Sequence, residues 1–163
     1  MSQIDSNEYL PLGKVFGFLT KKYIGVVADK MSETPVAKYY FPLLTIGLNS
    51  GKISQQELAD HLLTDKVSLV RVLDSLEKDE LIERITNPND RRQHLLKITE
   101  KGFPWIEKIQ GIMQESDEVF LSFIAPEHRV CFRNELNKLC NSVKNVPAEE
   151  IELFYNRTKE SNL

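Results

Sequence analysis

The chain has 163 residues, 41% of them hydrophobic and 28% charged, which is ordinary globular composition with enough length for one compact core. Its net charge of −3 excludes a uniformly basic nucleic-acid coat, so any polyanion site must be a local patch. No apolar run approaches a membrane span and the N-terminus lacks a signal-peptide core, so a soluble, cytoplasmic protein is expected.

Residues 1–7 are polar and read as a frayed end. From Glu8 to Lys30, Leu12, Val15, Phe16, Leu19, Tyr23, Val26 and Val27 recur at helical spacing and predict a long amphipathic helix. Gly13, Gly17 and Gly25 weaken it intrinsically and leave room for another helix to approach. Thr34-Pro35 starts the next helix, with Ala37, Phe41, Leu44 and Leu48 as its buried stripe. Pro42 kinks that helix or delays its true start, and Asn49-Ser50-Gly51 ends it. Ile53 is expected in one short strand.

Residues 54–102 carry the densest signals. Ser54 and Glu57 form a capping box ahead of Leu58, Ala59 and Leu62. Leu63-Thr64-Asp65 leaves room only for a turn, with Thr64 or Asp65 capping a second helix from Lys66 to about Asp79. Leu69, Val72, Leu73 and Leu76 make one narrow buried stripe on it. Val67, Arg71, Asp74 and Lys78 fall opposite, flanked by Ser68 and Val70. Valines opposite a core stripe suit a helix in a DNA major groove, where thymine presents a methyl group. Leu81–Thr86 and Gln93–Ile98 are β-type runs joined by Asn87-Pro88-Asn89-Asp90-Arg91-Arg92, rich in turn formers. Asp90 is placed to fold back onto backbone N–H groups or a neighbouring arginine. Arg91 and Arg92 are then held out for a minor groove or its flanking phosphates. Arg84 and Lys97 are expected to add to this positive patch.

Two more helices follow. Phe103 to about Phe123 places Ile106, Ile109, Met113 and Phe120 on one side, widened by Trp105, Ile112 and Val119. Ala125-Pro126 starts the next, striped by Phe132, Leu136, Leu139, Cys140 and Val143. Residues 102–163 carry seven Lys/Arg against ten Asp/Glu, so the acidity of the chain resides there. A last acidic helix is expected over Ala148–Arg157. Cys131 and Cys140, nine residues apart on one helix, stand about 13 Å apart, too far to bridge, and are expected as buried thiols. The terminal helices carry more apolar face than one small domain covers, which predicts a homodimer.

The segment from Ser54 to Gly102 resembles the MarR family of bacterial transcription regulators. The resemblance lies in Leu58-Ala59, Leu76-Glu77-Lys78, Leu81-Ile82-Glu83-Arg84, Asp90-Arg91-Arg92 and Ile98-Thr99-Glu100-Lys101-Gly102. It implies a mainly α fold with a small β-wing. Residues 34–102 would be a winged helix-turn-helix DNA-binding domain, flanked by dimerisation helices in 1–33 and 103–163. By the same resemblance Ser68 and Arg71 match recognition-helix contacts, and Asp90 and Arg91 the wing pair. Lys66, Val67, Val70 and Arg92 complete the expected DNA-binding set. Val67 and Val70 stand where the family more often has Ser or Thr, and Leu63 where Gly is common.

No phosphate loop, nucleophile elbow, His-x-x-x-His or Cys-x-x-Cys spacing occurs, and His61, His94 and His128 lie on separate elements. No enzymatic activity, cofactor or metal is therefore expected. The favoured reading is a transcriptional repressor, homodimeric on palindromic double-stranded DNA. The resemblance implies release by a small lipophilic or phenolic effector, and Phe16, Tyr23, Tyr39, Tyr40 and Phe41 can line its cleft. Plain core packing is the alternative for each of these aromatics. A winged-helix protein-interaction module without an operator is the rival reading of the whole chain.

Overall fold

The structure, a computed structural model, describes residues 10–62 and 64–146. Residues 1–7, a helix start at Glu8, Leu63 and a helix over Ala148–Arg157 lie outside the described residues. In chain order the elements are α1 (Leu12–Met31), α2 (Tyr40–Leu48), β1 (Ile53–Ser54), α3 (Gln55–Leu62) and α4 (Lys66–Lys78). They continue with β2 (Ile82–Asn87), β3 (Asp90–Ile98), α5 (Phe103–Leu121) and α6 (Pro126–Ser142).

Local chemistry fixes the central part. The Ser54 backbone N–H donates to Glu57 Oε2 at 2.7 Å, and Glu57 N–H returns a bond to Ser54 Oγ at 3.2 Å. These bonds satisfy two donors at the start of α3; the Ser54 Oγ–H, which also donates to Glu57 Oε2 at 2.7 Å, and the Ser54 N–H together hold the Glu57 carboxyl below its usual range. β1 is the short strand expected at Ile53. It pairs antiparallel with β3, Ile53 opposite Leu96, in a sheet ordered β1-β3-β2. The core lies between this sheet and the helices, with Leu43, Ile46, Leu58, Leu69, Leu73, Leu76, Ile82, Leu96 and Ile109 fully buried.

Three helices depart from the expected pattern. α2 starts at Tyr40, and residues 35–39 are turns, so Pro42 sits in the first helical turn, where its missing N–H is no loss. This start rotates the stripe: Leu43, Leu44 and Ile46 are buried, whereas Phe41 and Leu48 are exposed. The first half of the α1 stripe, Leu12, Phe16 and Leu19, is also exposed; Val27 and Met31 anchor the other end. α6 buries none of its residues. Cys131 and Cys140 are therefore exposed in the single chain, not buried as expected.

α4 ends in a Schellman motif, with Leu81 N–H donating to Leu76 C=O at 2.9 Å and Glu80 N–H to Glu77 C=O at 2.9 Å. The residue in the left-handed position is Glu80, at φ 60°, where glycine is the unstrained choice. Glu80→Gly should accordingly raise the thermal midpoint by about 2–4 °C, despite loss of an exposed ion pair to Lys101. A calorimetric scan showing a lower midpoint would contradict this account of the turn.

Candidate nucleic-acid interface

The N-cap of α4 is Asp65, whose Oδ1 accepts the Ser68 backbone N–H at 2.9 Å. That bond holds the Asp65 carboxyl below the usual carboxylate range and turns it back onto the helix. Lys66, Val67, Ser68 and Arg71 stand exposed beside it. Leu69, Leu73 and Leu76 face the core on the opposite side, with Val72 half-buried, as the apolar spacing requires. Val67 is 66% exposed. Val70 is half-buried, so it sits on the flank of the stripe rather than on the free face.

The wing is a hairpin around Pro88-Asn89. Asn87 Oδ1 accepts the Asn89 N–H at 2.9 Å, an Asx turn that closes the tip. Asp90 Oδ1 accepts the Arg92 backbone N–H at 3.0 Å and the Arg92 Nε–H at 3.3 Å. Of the two readings for Asp90, both hold, and the arginine it takes is Arg92. Regular pairing runs to Thr86 opposite His94, then shifts so that Asn87 faces Asp90. The shift places Arg91, Arg92 and Gln93 in a bulge that lifts the arginines from the ladder. Arg91 is exposed and has no ion-pair partner among the described residues.

The rest of the expected positive patch is neutralised. Lys97 pairs with Glu83 across β2 and β3 at 2.7 Å. Arg84 donates to Asp74 at 2.7 Å and also to Glu77, both on α4. Its side chain faces inward because residues two apart on a strand share a face, and Ile82 on that face is buried. Arg84 thus ties β2 to α4 and offsets the charge of two carboxylates on that helix. Sequence reading assigned this arginine to the free patch; the strand alternation from Ile82 was the signal that it points in.

The base of the wing is fastened by the Ile98–Gly102 run. Thr99 Oγ1 donates to Glu80 C=O at 2.6 Å and accepts the Gly102 N–H at 3.0 Å. Gly102 is buried against Leu81, and a Cβ there would overlap the Leu81 carbonyl oxygen and lie 2.6 Å from Ile98 Cδ1. Only glycine allows this approach between the end of α4 and the start of α5.

The five candidate effector-site aromatics are not brought together around one cleft. Tyr23 lines a cleft of about 390 Å³ between α1, α5 and α6, with Leu19, Phe120, Phe132, Arg133 and Leu136. Its hydroxyl donates to Asp117 Oδ1 at 2.8 Å, and burial together with this bond pushes the phenol well above its usual range. Phe16 is exposed on α1, outside the cleft lining. Tyr39 and Tyr40 pack half-buried against the core, and Phe41 is exposed on α2. Among the described residues no cluster of three or more His, Cys, Asp or Glu could hold a metal, and no helix is long and apolar enough to cross a membrane.

The MarR family model matches residues 41–94, from α2 into β3. A Thauera aromatica protein assigned to transcriptional regulation of the hcr operon is 29% identical over 108 residues, covering 66% of this chain and 65% of that relative's length. The multiple antibiotic resistance protein MarR of Salmonella typhimurium is 33% identical over 96 residues, covering 59% of this chain and 67% of that protein. The chain belongs to the MarR family. Its fold agrees: a Listeria monocytogenes protein described as a MarR family transcriptional regulator, solved with a 26-mer DNA, superposes with a TM-score of 0.69 at 26% identity. That likeness covers 83% of this chain and 90% of the other. Within the MarR fold, α3 and α4 are the helix-turn-helix, and β2 and β3 the wing.

Proposed function

We propose that this MarR-family chain is a sequence-specific DNA-binding repressor, acting as a homodimer on a palindromic operator. The observation that carries the reading is that both elements present free polar and basic side chains: Lys66, Ser68 and Arg71 exposed on α4, and Arg91 exposed on the bulged wing. A helix of this rotation fits a major groove, and a thin arginine-tipped hairpin fits the neighbouring minor groove. Residues 34–102 form the reading head in this proposal, and 1–33 with 103–163 the dimerisation part. Lys66, Ser68, Arg71, Arg91 and Arg92 are the polar contacts, and Asp90 acts through Arg92 by shaping the tip. The Listeria relative solved with DNA supports the same reading. For a small lipophilic effector, the cleft beside Tyr23 offers apolar walls and a polar hydroxyl.

Arg91→Ala tests the DNA contact directly. A wing-tip arginine chiefly meets phosphates or groove potential, so affinity should fall on operator and random DNA alike. The slope of log affinity against log salt should shrink by about one unit. Fluorescence anisotropy titrations over a salt series measure both. Unchanged affinity and slope in a folded variant would remove Arg91 from the interface and favour a protein-interaction role for the wing.

A further inference from the structure

We infer that Val67 reads the 5-methyl group of a thymine in the major groove, fixing one thymine position in each half-site. The inference rests on the DNA-binding reading above and names a base contact within it. Val67 is the second residue of α4 and lies in the first turn, the part of a recognition helix that reaches base edges. It is 66% exposed, on the side opposite the buried Leu69, Leu73 and Leu76. The fold gains little from valine at this point, because a β-branched residue lowers helix propensity and this one packs into no core.

Its neighbours narrow what can cover it. Lys66, Ser68 and Arg71 offer charge and hydrogen bonds to phosphates and base edges, which a valine cannot. The Asp65 carboxylate is engaged by the Ser68 N–H at 2.9 Å, as the cap of the helix. An apolar side chain among such donors matches the thymine methyl, the apolar group that base edges display in the major groove. Val70 is half-buried on the core-side flank and so is less available for this contact.

Deoxyuridine tests the contact because it lacks only that methyl and keeps every hydrogen-bonding group of thymine. The full-length protein is first used to select a binding site from random DNA. Each thymine of the selected duplex is then replaced in turn by deoxyuridine. One symmetric pair of thymines should show a loss of about four-fold when replaced in one half-site and about fifteen-fold in both. In Val67→Ala the thymine–deoxyuridine gap at that pair should close, while gaps at other thymines remain. Val67→Thr, which keeps the shape and one methyl, should leave an intermediate gap. If no symmetric pair responds, or the gap persists in Val67→Ala or closes instead in Val70→Ala, the inference is wrong while DNA binding stands. Failure to select any sequence would overturn the proposed function itself and this contact with it.

Discussion

Gly102→Ala should lower the thermal midpoint by about 6–12 °C, a destabilisation of about 3 kcal/mol in a chain of this size. The added methyl has no free volume to enter. It would overlap the Leu81 carbonyl oxygen, which is backbone, and press on Ile98 at the end of β3. A flexible side chain could swing aside, but a carbonyl fixed between α4 and the wing cannot do so cheaply. The first interactions to yield should be those of Thr99 with Glu80 and Gly102. DNA affinity should therefore fall even where the variant remains folded, because these contacts set the angle of the wing against α4. Gly111→Ala is the matched control: nothing lies within 4 Å of a Cβ there, and replacing a mid-helix glycine should stabilise by up to about 1 kcal/mol. Differential scanning calorimetry of both variants checks the pair. Equal midpoints would mean that the junction relaxes around Gly102.

The reading head was legible because its signals are local. A capping box, an N-cap aspartate and the narrow stripe of Leu69, Leu73 and Leu76 each depend on residues within two turns of one another. They determined which way Val67 and Arg71 face before any tertiary contact was known. The turn formers at Asn87–Asp90 placed the wing tip in the same way. α2 was less legible because it is apolar almost all round. Phe41, Leu43, Leu44, Ile46 and Leu48 give a helical wheel little contrast, and a shifted start exchanged buried positions for exposed ones. Arg84 was misassigned because its partners, Asp74 and Glu77, lie in another element, and charge counting cannot see pairing across a fold. The same limit hid the Glu83–Lys97 pair and made the wing look more basic than it is. The aromatic candidates are spread over the fold for a similar reason: Tyr23 and Tyr40 are both half-buried, but of the two Tyr23 lines the cleft between α1, α5 and α6.

Placing two charges on the apolar stripe of α6, by Leu136→Glu with Leu139→Glu, should leave the proposed dimer monomeric at micromolar concentration. It should weaken operator binding by about 100-fold or more. α6 is 17 residues long and buries none of them in the single chain, yet Phe132, Leu136, Leu139 and Val143 recur on one side and are 38–46% exposed. Most of the stability of a helix in a protein comes from packing its apolar face. On α1, Leu12, Phe16 and Leu19 are likewise uncovered. Two such surfaces from a second copy would bury both stripes and set two reading heads about one DNA turn apart. The loss of affinity then comes from the second half-site, not from damage to the first. A half-site duplex should accordingly bind the variant and the parent protein with similar intrinsic affinity, whereas the full operator should separate them. Sedimentation equilibrium, with circular dichroism to verify retained helix, reads the assembly directly. A variant that stays dimeric would move the interface off α6. A variant that loses most of its helix content would show instead that Leu136, which lines the Tyr23 cleft, holds α6 onto its own chain.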